Sequence, residues 1–145
     1  MAEQPVRIYV DGCFDLLHSG HYNALRQGRA MGEVVVAGVH SDEDILLNKG
    51  PTIMSGLERA EILRHCKFVD EVKPDTAYTV SFDMLKEFNC GFYAHGDDPV
   101  FDYTGVYLTA KFKEKNMFKV FKRTEGVSTT EITGRLLKLV DALNN

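Results

Sequence analysis

Residues 33–39 read Glu-Val-Val-Val-Ala-Gly-Val. This run is β-branched and almost continuously apolar. A strand with one wet face alternates apolar and polar residues, and this one does not. It suits a strand covered on both faces, as in a parallel sheet. Parallel neighbours need long crossovers, usually helices, so helices are expected between the remaining strands.

The rest of the chain supplies that alternation. Residues 6–10 read as a first strand. Residues 22–31 carry a loose helical stripe of Tyr22, Leu25, Ala30 and Met31, and Gly32 is placed as a C-terminal helix glycine. Residues 40–44 form a polar loop and helix start. Residues 46–54 lack a period, contain Lys49-Gly50-Pro51 and read as a long loop. Ser55 or Gly56 opens a helix with Leu57, Ala60, Ile62, Leu63 and Cys66 on its apolar face. Glu58, Arg59, Glu61 and Arg64 make up its polar face. Residues 68–72 read as a short third strand. Ser81 caps a helix carrying Met84, Leu85 and Phe88, stopped by Asn89-Cys90-Gly91. Residues 92–94 and 118–121 read as strands, with a helix over 107–115 between them. A last helix over 130–143 has Ile132, Leu136, Leu137, Val140 and Leu143 on one side. The expected fold is α/β: a single doubly wound parallel sheet of five strands, Rossmann-like, over one domain.

Composition agrees. A chain of 145 residues, 44% hydrophobic and 26% charged, has the make-up and length of one soluble globular domain. A net charge of −4 argues against a general surface for nucleic acid or anionic lipid. The N-terminus does not resemble a signal peptide, and no apolar run approaches the roughly 18 residues of a spanning helix. Cys13, Cys66 and Cys90 are far apart, odd in number and without a CxxC spacing. Neither a disulfide framework nor a zinc site is indicated, and a reducing, cytoplasmic setting is the expectation. Cys13 itself reads as a small filler.

Ligands of doubly wound sheets bind beyond the carboxyl ends of the strands. Every unusual polar cluster here follows a strand: residues 11–21, 40–44, 95–98 and 122–130. That coincidence predicts one composite site. The first cluster, Asp11-Gly12-Cys13-Phe14-Asp15-Leu16-Leu17-His18-Ser19-Gly20-His21, runs from a strand end to a helix start. Unpaired N–H groups and partial positive charge at a helix start suit phosphate, and histidine adds a donor that can be cationic near neutral pH. The last cluster, Arg123-Thr124-Glu125-Gly126-Val127-Ser128-Thr129-Thr130, brings a guanidinium, hydroxyls and a second helix start to bear on phosphate oxygens. Lys122 reads equally as a solvated charge. In His95-Gly96-Asp97-Asp98-Pro99 the carboxylates suit magnesium, a nucleoside or an ammonium group, or else form an Asp-Pro turn.

The first cluster resembles the HxGH signature of the nucleotidyltransferase superfamily. Residues 123–130 resemble the RTEGIST motif of the cytidylyltransferases that act on phosphoethanolamine, phosphocholine and glycerol 3-phosphate. The resemblance runs from about residue 7 to residue 139. It implies transfer of CMP from CTP to a phosphomonoester, with release of pyrophosphate. It implies catalytic roles for His18, His21, Lys49 and Arg123. It assigns Gly12, Cys13, Phe14, Gly20, His95, Asp97, Asp98, Thr124, Val127, Ser128 and Thr129 to the nucleotide. Asp11 then faces the alcohol, as does Tyr78, which stands where the phosphocholine members carry tryptophan. Magnesium is expected to be bound through the CTP phosphates, with no metal ligand on the protein. Arg59 matches a Glu-Arg pair of the family and reads equally as a surface arginine.

The absence of tryptophan weakens phosphocholine, because a quaternary ammonium prefers an aromatic cage. Residues 25–32 and 39–43 look most like the phosphoethanolamine members. The expected partners are therefore CTP and phosphoethanolamine, without nucleic acid or stable membrane insertion. The alternatives are phosphocholine, glycerol 3-phosphate, or a catalytically silent CTP-binding regulatory domain. Intact His18, His21, Lys49 and Arg123 speak against silence. The phosphoethanolamine members usually carry two such domains in tandem, and one is present here. Residues 100–107 depart from the family pattern. Residues 67–72 resemble a subunit contact of dimeric relatives, so a homodimer or tandem-domain pairing is expected, with a buried edge strand as the other reading.

Overall fold

A computed structural model describes residues 3–102 and 104–145. Met1 and Ala2 of the N-terminal reading, and Tyr103 of the segment 100–107, lie outside the described residues.

The elements alternate as expected: β1 (Arg7–Gly12), α1 (Ser19–Met31), β2 (Val34–His40), α2 (Asp42–Asn48), α3 (Gly56–Arg64), β3 (Glu71–Thr76), α4 (Phe82–Glu87), β4 (Phe92–Gly96), α5 (Leu108–Glu114), β5 (Phe118–Phe121) and α6 (Thr129–Asn144). The five strands pair in the order β3-β2-β1-β4-β5, and all four pairings are parallel. The chain builds outward from β1 to β3, then crosses to β4 on the other side. The switch point therefore lies between β1 and β4, where such sheets take their ligands.

Successive residues of β1 point to opposite faces. Ile8 and Val10 join Leu25, Val35, Ala37, Val39, Ala60 and Leu63 in one core, under α1 and α3. Tyr9 joins Val36, Leu85, Tyr93, Leu108 and Phe112 in the other. Burying each leucine or isoleucine contributes about 2 kcal/mol. Both faces of β1 and β2 are thus covered, which accounts for their unbroken apolar sequence.

Several local expectations change. Helix α1 starts at Ser19 rather than near Tyr22, so both motif histidines belong to its first turn. Gly32 does follow α1, but with extended backbone at φ −157°. Its reason is close packing: a Cβ there would lie 2.4 Å from Ile8 Cγ1. Residues 42–48, partly read as loop, form α2, capped by Ser41. The third strand begins at Glu71 rather than residue 68, because its register with β2 starts at Val36↔Glu71. Just before it, the Asp70 carboxylate accepts the Val35 N–H at 2.8 Å and pairs with Arg29. Pro74 is accommodated because β3 is an edge strand.

On α3 the expected faces are partly reversed. Leu57 is 83% exposed, whereas Arg59 is wholly buried. The apolar stripe of α6 forms but stays uncovered: α6 buries no residue among those described, and Leu137 is 66% exposed. No helix of the described residues is long and apolar enough to cross a membrane.

Candidate active site

A cleft of about 860 Å³ opens at the carboxyl ends of β1, β2 and β4. Its floor is the β1–α1 turn. Phe14 (φ 56°) and Leu16 (φ 50°) are both left-handed there, a conformation that side chains adopt only when their surroundings enforce it. The enforcement is visible. Phe14 is buried in the core and stacks against His21 with centroids 5.7 Å apart. Asp15 accepts the N–H groups of Ile53 and Met54 at 2.7 and 3.0 Å, and its carbonyl accepts the Thr129 hydroxyl at 2.8 Å. One carboxylate thus ties the turn to the 49–55 loop, while its backbone ties it to α6.

His18 is the N-cap of α1 and His21 its third residue. His18 Nδ1 accepts the Gly20 N–H at 3.1 Å, and His21 Nδ1 accepts the His18 N–H at 3.2 Å. This is a capping box built from two imidazoles. Because both Nδ1 atoms accept, the proton of each neutral ring sits on Nε2. The rings lie 3.9 Å apart. Burial, together with the neighbouring His18, pushes the His21 pKa down to about 4, and burial lowers that of His18. The expectation of a cationic donor is corrected: in this state the pair presents neutral Nε2–H groups.

The start of α6 lies beside that of α1. A Cβ on Gly20 would stand 3.4 Å from Val127 Cγ1. Ser128 caps α6 by accepting the Glu131 N–H at 3.0 Å. Two helix N-termini, on helices of 13 and 16 residues, therefore converge on one cleft, an arrangement that favours anions. The segment between β5 and α6 is held from α1. Gln27 donates to the Lys122 carbonyl at 2.9 Å and accepts its N–H at 2.8 Å, and Asn23 donates to the Thr124 hydroxyl at 2.9 Å.

Of the residues singled out by sequence, Asp11, Gly12, Cys13, Phe14, His18, Gly20, His21, Lys49, Tyr78, His95, Asp98, Arg123, Thr124, Val127, Ser128 and Thr129 line the cleft. Asp97 does not; it is exposed, turned out of the line by the bend after β4. Arg123 Nε donates to Asp98 Oδ1 at 2.6 Å. Burial alone would raise the Asp98 pKa, but Arg123 and His95 outweigh it and hold it below the ordinary value. Lys49, at the end of α2, places its ammonium 5.8 Å from the Tyr78 ring. The Cys13 thiol is pushed up by burial, which suits a filler rather than a nucleophile.

At the other end, Asp11 lies near the tip of β1 with its side chain only 5% exposed. Its Oδ1 accepts the Tyr93 hydroxyl and its Oδ2 faces His40 Nε2, both at 2.8 Å. Burial works against this charge, but the hydrogen bonds outweigh it and leave the pKa lowered. Tyr78 packs over His40 with centroids 5.0 Å apart.

Arg59, open between two readings, is structural. It donates to Cys13 O (2.7 Å), His40 O (3.0 Å), Met54 O (3.1 Å) and Asp42 Oδ1 (2.6 Å). It closes the ends of β1 and β2 against the loop beneath them. Asp15, His40 and Tyr93 also line the cleft without having been assigned a role from sequence. Asp15 and His40 had a signal, as members of polar clusters that follow strands, and Tyr93, inside a strand, had none.

The sheet order, the paired helix starts and the histidine cap define an α/β domain with an anion-favouring cleft at its switch point. The cytidylyltransferase-like family profile matches residues 9–135, and the chain belongs to that family. Over 135 residues it is 48% identical to the ethanolamine-phosphate cytidylyltransferase of Dictyostelium discoideum, covering 93% of this chain and 38% of that protein. It is 46% identical to the Arabidopsis thaliana ethanolamine-phosphate cytidylyltransferase, covering 94% and 34%. It is 39% identical to choline-phosphate cytidylyltransferase A of Homo sapiens, covering 96% and 38%. The chain thus spans 34–38% of the length of these relatives. The fold matches a lipopolysaccharide core biosynthesis protein from Thermoplasma volcanium with a TM-score of 0.67 at 22% identity, over 83% of this chain and 98% of that one.

Proposed function

We propose that this domain transfers CMP from CTP to phosphoethanolamine, giving CDP-ethanolamine and pyrophosphate. The observation that carries the reading is the His18–His21 cap: two Nε2–H donors set against two converging helix starts. The 48% and 46% identity to two ethanolamine relatives, against 39% to the choline relative, supports the choice of alcohol.

The phosphate of the monoester is already a nucleophile, so no strong base is needed. Its oxygen attacks the α-phosphorus in line, and the bond from that phosphorus to the bridging oxygen of pyrophosphate breaks. Catalysis is then alignment and charge stabilisation. His18 and His21 donate to the α-phosphate and the departing bridge oxygen. Lys49, Arg123 and the start of α6 hold the pyrophosphate moiety.

Among the described residues no three His, Cys, Asp or Glu side chains gather as a cation site, and Asp98 is committed to Arg123. The magnesium ion of this reading is one carried by the nucleotide's own phosphates, beside Lys49 and Arg123. Bound there, it would neutralise charge on the leaving group. The location proposed is cytoplasmic. Pairing with a second copy or a tandem domain through residues 67–72 is part of the same reading.

The test is turnover. CTP is incubated separately with phosphoethanolamine, phosphocholine and glycerol 3-phosphate, and pyrophosphate is measured. Preferred turnover of phosphoethanolamine is expected. Turnover of another monoester in its place overturns the choice of alcohol, and CTP binding without any turnover favours a regulatory domain. Light scattering decides the pairing.

A further inference from the structure

Arg123 stands between two residues that are both fastened to α1. On its N-terminal side, Gln27 Nε2 donates to the Lys122 carbonyl at 2.9 Å, and Gln27 Oε1 accepts the Lys122 N–H at 2.8 Å. On its C-terminal side, Asn23 Nδ2 donates to the Thr124 hydroxyl at 2.9 Å. Asn23 and Gln27 lie four residues apart on one face of α1, and Gln27 Nε2 also donates to the Asn23 carbonyl at 3.2 Å. Arg123 and Thr124 line the cleft, whereas Asn23, Gln27 and Lys122 do not.

The need for a glutamine follows from where β5 stops. It is an edge strand whose register with β4 ends at Gly96↔Phe121. Lys122 lies one residue past that ladder, and its N–H and C=O pair with Gln27 instead. A primary amide presents a donor and an acceptor side by side, as a neighbouring strand would; neither a carboxylate nor an ammonium does both. The Lys122 carbonyl and the Arg123 N–H share one planar peptide unit. Holding that carbonyl therefore sets the direction in which Arg123 leaves the sheet. The side chain of Arg123 is 59% exposed, so packing alone does not place it. Its Nε donates to Asp98 Oδ1 at 2.6 Å and lies over Gly96, where a Cβ would come within 2.7 Å of it. With Nε taken, the two Nη groups are what Arg123 offers an anion in the cleft.

We propose that Gln27 is a positioning residue for Arg123: outside the cleft itself, it clamps the Lys122 backbone and so sets the guanidinium where the pyrophosphate moiety is held. The inference rests on the CTP-dependent reaction proposed above and extends its machinery to a residue of α1 beyond the histidine cap. Negative charge on the pyrophosphate grows as its bond to the α-phosphorus breaks. A misplaced Arg123 therefore lowers kcat more than it raises the KM for CTP.

The experiment is a double-mutant cycle: steady-state kinetics and Tm for wild type, Gln27→Met, Arg123→Ala and the two combined. Methionine keeps the length of the side chain and removes both donor and acceptor. Gln27→Met is expected to lower kcat about tenfold or more, with the KM for phosphoethanolamine little changed and Tm lower by about 2–4 °C. In the Arg123→Ala background the same substitution should lower kcat by less than about twofold, because the group it positions is gone. Equal losses in the two backgrounds, or no loss in either, overturn the inference and leave the reaction standing. Gln27→Glu is the second variant: its carboxylate accepts the Lys122 N–H but cannot donate to the carbonyl, so it should behave as Gln27→Met does, and wild-type kcat overturns the inference. If no monoester is turned over, the proposed function fails and calorimetry on the same four proteins decides, with CTP and inorganic pyrophosphate as probes. A loss of affinity in Gln27→Met that disappears in the Arg123→Ala background upholds the positioning role. Equal losses in both backgrounds, no loss, or no binding to the wild type overturn it.

Discussion

The imidazole of His18 stands where a side chain on Gly20 would have to go: a Cβ there would lie 2.9 Å from His18 Cε1 and 3.0 Å from Nδ1. The same Nδ1 accepts the Gly20 N–H. The glycine of the motif is therefore a steric requirement of the histidine two residues before it. Gly20→Ala should displace the His18 ring and lower kcat/KM by about tenfold to a hundredfold, while costing only about 1 kcal/mol of stability. Urea unfolding beside steady-state kinetics separates the two. Unchanged kinetics would mean that the ring position does not matter.

His18→Ala and His21→Ala should reduce kcat by at least about a hundredfold, the scale of losing a transition-state donor. Each should cost about 1 kcal/mol of stability through the lost cap. Parallel losses of turnover and stability would mark the pair as structural only.

The depressed His21 pKa makes stability depend on pH. An unfolded histidine titrates near 6.5, whereas burial holds His21 at about 4 in the fold. Between those values the unfolded chain takes up a proton that the folded site refuses. The stability linked to neutral His21 is complete above about pH 6.5 and is lost as the pH falls towards 4, to the extent of about 1–3 kcal/mol. His21→Asn should flatten the slope of Tm against pH in that window. Equal slopes would contradict a neutral His21.

Arg59→Met should destabilise the fold by about 3–5 kcal/mol, because it leaves the buried carbonyl of His40 and the part-buried carbonyl of Cys13 without this donor. Arg59→Lys should recover little, since an ammonium cannot span four divergent acceptors. Asp42→Asn should cost about 1 kcal/mol or less, as that carboxylate is 55% exposed on its side of the pair. Denaturant midpoints test all three.

Much of this was legible in one dimension. Strand β2 announced itself because a strand buried on both faces has no polar residues to interrupt it. Caps Ser55, Ser81 and Ser128 were legible to within a residue, because capping is a local contact three residues long. The histidine end of the cleft was legible for the same reason: His18 and His21 bond to their own turn.

What the sequence by itself determined was the alternation of strands and helices, the helix starts and the two polar motifs that open α1 and α6, all set by interactions within a few residues. Only the tertiary structure decided that Arg59 is interior and Leu57 exterior, that Asp97 leaves the cleft while Asp98 holds Arg123, and that Asp11 meets His40 and Tyr93. Those contacts join residues far apart in the chain. Their energies come from burial and from hydrogen bonds closed across the ends of neighbouring strands, and no local pattern records which strands become neighbours.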